Sequence, residues 1–201
     1  FAASDITSAT QTTIVKDGIT VSGGTFSGAK PDSSSTITPD NIAWEFEAGE
    51  SGIGVGADRE LTSSLNEVMV IEFTGSSDVT SSNIVVSSAY GNFSNTRPDN
   101  GQAHAIVYRD GQIIGEYDYP NLWEASGGDG IATINVAHPD GFDEIRFYVT
   151  ATVNSNLNVT SISAESVNTT DTAFTYKAIN SLNNESETAT VTLGETISDQ
   201  V

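Results

Sequence analysis

Short apolar runs separated by turn residues recur along the whole chain, and no stretch of usual helix length has a helical period. Residues 42–47 (IAWEFE) and 157–163 (LNVTSIS) alternate between apolar and polar side chains, as half-buried strands do. Residues 84–86 and 131–136 are short runs rich in β-branched side chains, which is typical of buried strands. The pattern predicts an all-β protein.

Two Asp-Gly dipeptides predict tight hairpins, because this pair readily adopts the backbone conformations of a two-residue turn. Asp17-Gly18 separates the apolar pairs around residues 14–15 and 19–21, and Asp110-Gly111 separates residues 103–108 from 112–117. Short strands joined by such turns favour an antiparallel β-sandwich, which we expect to be jelly-roll-like.

The C-terminal part carries a further pair of strand patterns, at residues 171–179 and 186–193. This pair resembles the closing hairpin of the immunoglobulin-like repeats of giant bacterial adhesins. Since an isolated hairpin is only marginally stable in water, we expect the tail to pair with the N-terminal segment in a split immunoglobulin-like domain. We divide the chain into an N-terminal strand segment (1–14), a β-sandwich (15–167) and a C-terminal hairpin (168–201).

Composition narrows the classes of partner. The 201 residues carry a net charge of -20, which opposes binding to nucleic acid or to an anionic membrane surface. The absence of cysteine excludes disulfides and thiolate zinc sites. No run approaches the roughly 20 apolar residues of a membrane span, so membrane insertion is not expected. Such acidity is tolerable where bound cations neutralise part of it, or in a salty medium.

Residues 49–73 combine a Gly-rich segment with oxygen-bearing side chains and then run into an apolar strand pattern. The oxygen-bearing side chains are those of Asp58, Glu60, Asn66 and Glu67. Calcium takes six to eight oxygen ligands, often carboxylates mixed with backbone carbonyls, and a bent loop of this kind supplies both. The stretch is therefore a candidate calcium loop, with a solvated acidic loop as the alternative.

Two other loops carry candidate binding residues. The turn at residues 97–102 (RPDNGQ) offers Asp99 and Asn100 as ligands of a second calcium ion and Arg97 as a contact for the bound ligand, or is a turn built from ordinary turn residues. In the long loop after residue 117, Asp118, Tyr119, Trp123 and Asp129 are candidate ion and ligand contacts. Trp123 would serve as a platform for a ligand, or would cap one end of the sandwich. Asn156 is a candidate amide ligand or a plain turn residue.

Four motifs follow one another within residues 15–167. They are GIGVG (52–56) followed by Asp58 and Glu60, NEV (66–68) leading into Phe73, YRDG (108–111), and GFDEIRF (141–147) followed by NLNVTSI (156–162). Together they are similar to the calcium-dependent peptide-binding domain in the ligand-binding region of repeats-in-toxin (RTX) adhesins, of the type found in Vibrio and in marine ice-binding adhesins. The family often carries Asp where this chain has Asn156. The nonapeptide calcium repeat GGxGxDxUx is absent, so calcium would be held by sandwich loops.

The resemblance implies a non-enzymatic, extracellular adhesin module, monomeric within a longer chain. Such a module holds the C-terminal end of a partner protein at a calcium-lined pocket, for attachment to host, algal or microbial cells and for biofilm formation. A calcium-dependent lectin on the same sandwich and a structural spacer in an adhesin stalk are the alternatives. The chain carries no nucleophile elbow, phosphate-binding loop or HExxH metal motif, which leaves an enzyme without positive support.

Overall fold

The computed structural model describes residues 1–47, 50–74, 79–87, 101–122, 130–151, 155–166, 173–179 and 186–192. These ranges form strands, turns and two short 3-10 segments, Ala3–Asp5 and Ser63–Leu65. None of the described residues forms a helix long and apolar enough to cross a membrane. The predicted all-β fold is confirmed.

Strands are numbered in chain order, and those of the first sheet lie in the order β1-β2-β7-β12-β9-β10, with β3 also pairing with β2. Every pairing in this sheet is antiparallel. Its strands are β1 (Thr13–Lys16), β2 (Ile19–Phe26), β3 (Ile37–Asp40), β7 (Glu67–Phe73), β9 (Gln102–Arg109), β10 (Gln112–Tyr119) and β12 (Glu144–Thr150).

The second sheet has the order β11-β8-β13-β5-β4, with β6 also pairing with β13, and is likewise antiparallel. Its strands are β4 (Ile42–Glu47), β5 (Glu50–Val55), β6 (Leu61–Thr62), β8 (Val79–Ser87), β11 (Ala132–Phe142) and β13 (Asn156–Ser166). The two sheets pack face to face, which confirms the predicted β-sandwich.

Both predicted hairpin turns are present. Asp17 and Gly18 have φ angles of 51° and 77°, and Asp110 and Gly111 have φ angles of 51° and 73°. Two successive residues with positive φ define a type I′ turn, whose twist matches that of the flanking strands. The Asp-Gly pairs therefore set the β1–β2 and β9–β10 connections through local backbone preference alone.

The core lies between the sheets and follows the period-two alternation of the strands. In β11, Ala132, Ile134 and Val136 are buried while the residues between them are exposed. They pack in one apolar cluster with residues from the first sheet such as Val21 and Phe147. Burying each large side chain contributes about 1.5 to 3 kcal/mol, so the alternating pattern both selects the register and stabilises the fold.

Of the glycines at positions 52, 54 and 56, only Gly56 contributes to the bend that the sequence suggested. Gly52 and Gly54 lie inside β5, and a Cβ on Gly52 would lie 2.7 Å from the Val159 carbonyl oxygen. A Cβ on Gly54 would collide with the Arg59 carbonyl. These two glycines allow other backbone segments to approach β5 closely. Gly56 alone of the three has a positive φ, at 76°, and begins the turn.

The backbone contacts divide the chain into two units, Phe1–Ser166 and Val167–Val201. In the second unit, β14 (Ala173–Ile179) pairs antiparallel with β15 (Ser186–Thr192), close to the two strand patterns expected there. In the first unit, the boundary expected after residue 14 falls inside β1, which pairs with β2. The N-terminal segment therefore continues directly into the first sheet.

Candidate metal centre

The residues around Gly56 lie where the chain passes between the two sheets. Asp40 ends β3 of the first sheet, and Ile42 begins β4 of the second. The turn at residues 56–59 links β5 to β6, and Glu67 then begins β7 back in the first sheet. Three separate chain segments therefore deliver acidic side chains to one end of the sandwich.

Three carboxylates surround Gly56. A Cβ atom placed on this residue would lie 2.7 Å from Glu67 Oε1 and 3.7 Å from both Asp40 Oδ2 and Asp58 Oδ1. The missing side chain of Gly56 thus leaves a space into which three acidic groups face. None of the three forms an ion pair within the described part of the chain.

Glu67 is the buried member of this group, with only 1% of its surface exposed. The Thr62 backbone N–H donates to its Oε2 at 2.8 Å. Burial raises the pKa of Glu67 to about 8; the Thr62 hydrogen bonds oppose this shift, and the negative charges of Asp58 and Asp40 add to it. A cation beside this carboxylate would offset the free-energy cost of burying its ionised form.

Thr62 also positions Asp58. Its hydroxyl donates to Asp58 Oδ2 at 2.9 Å, so a single buried residue contacts both Asp58 and Glu67. Asp58 itself is exposed, and it lies on a turn closed by the bond from Val55 N–H to the Glu60 carbonyl at 3.0 Å. The site therefore has a buried side at Glu67 and an open side at Asp58.

Asp40 is fixed by its own loop. The Asn41 backbone N–H donates to Asp40 Oδ1 at 2.7 Å, and the Asn41 carbonyl accepts a bond from the Gly56 N–H at 2.8 Å. These two bonds join the β3–β4 connection to the start of the Gly56 turn. They leave Asp40 Oδ2 as the oxygen nearest Gly56.

This set of donors fits a hard cation that prefers oxygen ligands. Carboxylate oxygens together with a hydroxyl group suit calcium, whereas the described residues place no cysteine or histidine near Gly56 to suit zinc. The three carboxylates are near one another but not drawn into a tight cluster, since the described residues contain no preassembled group of three or more metal-binding side chains. Asp58 is the exposed member of the group, and Thr62 holds one of its oxygens.

Glu60 and Asn156 were also predicted as ligands, and they contact each other. The Asn156 amide nitrogen donates to Glu60 Oε2, and Asn156 pairs with Thr62 across the β13–β6 ladder. The two side chains therefore lie close to the carboxylate group but are joined in a pair of their own.

Asn66 contributes to the turn through its backbone. Its φ of 53° ends the short 3-10 segment, its carbonyl accepts the Phe26 N–H at 2.9 Å, and its side chain is exposed.

The predicted ligand contacts Asp118 and Tyr119 lie in strand β10 and not in the long loop, because β10 extends to Tyr119. Asp118 Oδ1 is 2.7 Å from His104 Nδ1, and the Tyr119 hydroxyl donates to the Asn135 carbonyl of β11 at 2.9 Å. Tyr119 thus joins the edges of the two sheets. The remaining candidates, Arg97, Asp99, Asn100, Trp123 and Asp129, lie outside the described residues.

Two residues of the site were missed at the level of sequence. In the sequence Asp40 belongs to a Pro-Asp-Asn pattern typical of a turn, and its position two residues before the alternating strand 42–47 is the one signal that could have identified it. Thr62 carried no signal, because its contribution depends on contacts made after folding.

No family model matches the chain, and a comparison with curated proteins found no match. Among solved structures, the chain is similar to a glycoside hydrolase family 43 arabinoxylan arabinofuranohydrolase from Bacillus subtilis in complex with cellotetraose. The identity is 12% and the TM-score 0.33, with 77% of this chain and 53% of the hydrolase covered. The chain thus spans about half the length of that enzyme, and at this TM-score the likeness bears on neither fold nor activity.

Proposed function

We propose that this protein is a calcium-dependent, non-enzymatic adhesin domain that binds the C-terminal end of partner proteins or peptides. The observation that carries the proposal is the group of Asp40, Asp58 and Glu67 around Gly56. Glu67 is buried, and no basic side chain among the described residues forms an ion pair with any of the three. The partners are proteins on host, algal or microbial surfaces, and the setting is extracellular adhesion and biofilm formation.

The three carboxylates that would hold the ion differ in burial. Glu67 supplies a buried oxygen held by the Thr62 N–H, Asp40 supplies Oδ2 from the sheet crossing, and Asp58 supplies an oxygen from the exposed turn. A calcium ion held there would supply positive charge for a carboxylate of a ligand. The net charge of -20 adds a long-range preference for cations.

The open side at Asp58 favours a binding role over a purely structural one. Calcium commonly takes six to eight oxygens, and three carboxylates supply six only if all are bidentate. Because Ala57 and Asp58 are exposed, a ligand could reach an ion held at this turn from the solvent. The resemblance to adhesin peptide-binding domains favours a peptide C-terminus as that ligand.

Calcium binding is tested by calorimetric titration of the intact chain. We expect the Glu67→Gln variant to lose at least tenfold in calcium affinity, because the one buried carboxylate is neutralised. Asp110→Asn is the matched control, since it removes one charge from an exposed hairpin turn where Asn is equally acceptable. Equal calcium affinity in Glu67→Gln and the native chain would contradict the site.

Ligand class is tested with peptide and glycan arrays probed in parallel. We expect binding to peptides with free C-terminal carboxylates that is lost with chelator and with C-terminal amidation. Binding that survives amidation, or binding to glycans alone, would overturn the peptide assignment. Calcium binding without any ligand on either array would assign the domain to a structural role.

A further inference from the structure

Strand β4 forms an edge of the second sheet and pairs on one side with β5. On its other side, the Ile42 N–H donates to the Gln11 carbonyl at 2.7 Å. The N-terminal segment thus bonds to this edge at Gln11, and within the described residues it makes no further backbone hydrogen bond to β4.

The alternation of hydrogen-bonded and non-bonded residue pairs between β4 and β5 shows which backbone N–H and C=O groups of β4 point away from β5. In an antiparallel pair, residues that exchange bonds alternate with residues that do not. Ile42 and Val55 are opposite each other, yet their N–H groups go to Gln11 and Glu60, so this is a non-bonded pair. Trp44, two residues on, therefore also directs its N–H and C=O away from β5.

The outward backbone groups of Trp44 have no hydrogen-bond partner among the described residues. Its indole Nε1 is buried and likewise lacks a partner there. Unpaired groups on a sheet edge are a template for another strand. With respect to the described part of the chain, the edge at Trp44 thus lacks hydrogen-bond partners for both its backbone and its side chain.

A cleft of about 550 Å³ lies along this edge. One wall consists of small and apolar residues of the N-terminal segment, Ala3, Ile6 and Ala9, and the opposite wall is the start of β4. The end of the cleft is formed by Gly56, Ala57 and Arg59, the same turn that carries Asp58. The cleft therefore connects the free strand edge to the candidate metal centre.

Arg59 gives this end of the cleft a positive charge. Its side chain is exposed and forms no ion pair with a described residue, in a chain with 7 basic and 27 acidic side chains. Guanidinium groups bind carboxylates in a bidentate manner. A carboxylate-bearing ligand complements Arg59, provided that a bound cation offsets the negative charges of Asp40, Asp58 and Glu67 around Gly56.

We propose that an extended peptide adds to the free edge of β4 as an antiparallel strand, with its C-terminal carboxylate at the Arg59 end of the cleft. This inference rests on the proposed function and specifies how the peptide is held. Because β4 runs away from Asn41 and the Gly56 turn, a peptide ending at that turn must run in the opposite direction. Its backbone satisfies Trp44, and one set of alternate side chains meets the apolar wall at Ile6 and Ala9.

The first experiment follows backbone amide hydrogen exchange by NMR in the intact chain. The probe is a pentapeptide with a free carboxylate, selected in calcium from a pool randomised at all positions. We expect the Trp44 amide to exchange quickly in the free protein and at least tenfold more slowly with the peptide bound. The Ile42 amide, already bonded to Gln11, is the internal control and should change little.

The second experiment changes the peptide and leaves the protein intact. N-methylation of single peptide bonds removes one donor at a time, and strand addition predicts that affinity falls at every second position only. Replacing Arg59→Gln should lower affinity for the carboxylate peptide severalfold. Lys30→Gln, which removes an equal charge from an exposed ion pair with Glu116, should not.

The outcomes separate this inference from the function on which it rests. A calcium-dependent binder that leaves Trp44 exchange unchanged, or an N-methylation scan without period-two sensitivity, overturns strand addition while the carboxylate-binding function stands. A pool that yields no calcium-dependent binder overturns both. A third outcome is that the Trp44 amide is protected and the N-methylation scan shows period-two sensitivity, but the amidated peptide binds as tightly as the free-carboxylate peptide. That outcome supports strand addition and contradicts placement of the carboxylate at Arg59.

Discussion

The acidic side chains on the outer face of the first sheet differ from those around Gly56. On the outer face, Glu116 pairs with Lys30 at 2.6 Å, Glu144 pairs with Arg146 at 2.6 Å, and Asp118 contacts His104 at 2.7 Å. Around Gly56, Asp40, Asp58 and Glu67 meet without any such partner in the described residues. Missing compensation, and not acidity itself, therefore distinguishes the candidate site from the outer face.

The paired acids have a structural explanation that requires no ligand. Arg146 bonds Glu144, donates to the carbonyls of Pro31 and Asp32, and lies 4.3 Å over the Tyr108 ring. These contacts hold the β2–β3 connection on the sheet. Among the described residues, no comparable set of contacts accounts for a buried Glu67 beside two further carboxylates.

Calcium should produce the largest change in stability, because among the described residues no basic side chain offsets the charge of the three carboxylates around Gly56. We expect calcium at about 100 times its dissociation constant to stabilise the fold by about 2.7 kcal/mol, or about 5 to 10 °C in melting temperature. Glu67→Gln should lose most of this gain. Thermal melts in calcium and in chelator measure it, and equal melting temperatures for the native chain would refute it.

Gly56→Ala tests how closely the carboxylates approach the turn. The variant should destabilise the fold by about 1 to 3 kcal/mol, because it combines a positive φ with a Cβ 2.7 Å from Glu67 Oε1. Gly111→Ala is the control, since it has nearly the same φ of 73° and no atom within 4 Å of its Cβ. Urea denaturation should give a larger loss for Gly56→Ala, and equal losses would show that the space around Gly56 is unimportant.

Without calcium, stability should fall as the pH rises through the titration of Glu67. Its pKa is raised from 4.5 to about 8, so the folded state binds the extra proton between these values. The stabilisation is complete below about pH 4.5, declines as the pH rises from there, and is lost once the pH has passed through about 8. Urea denaturation in chelator from pH 5 to 8.5 should show this slope in the native chain. A slope of the same size in Glu67→Gln would assign it to another group.

The paired acids should produce the smallest effect. Glu116→Gln breaks an exposed ion pair and should change the free energy of unfolding by no more than about 0.5 kcal/mol. Calcium affinity should stay within a factor of two of the native value by calorimetry. A large loss of calcium affinity would show that the outer face and the Gly56 region are coupled.

The candidate site could be predicted only in part. Asp58 and Glu67 were identified because acidic residues followed a Gly-rich segment and preceded an apolar strand. The function assigned to the glycines was wrong at Gly52 and Gly54, since close approach of Val159 and Arg59 to a strand leaves the same sequence signal as a bend. Asp118 and Tyr119 were placed in a loop because β10 extends further than its apolar pattern indicates.

The sequence by itself determined the all-β class, the strand alternation and the two Asp-Gly hairpins. These features depend on neighbours a few residues apart, where backbone preference and the burial period act directly. Only the tertiary structure decided that Asp40 lies beside Glu67 and Asp58, that Thr62 contacts both of the latter, and that β4 is an edge with an open cleft. Such arrangements depend on where the chain crosses between two sheets, and the packing of the whole sandwich fixes those crossings.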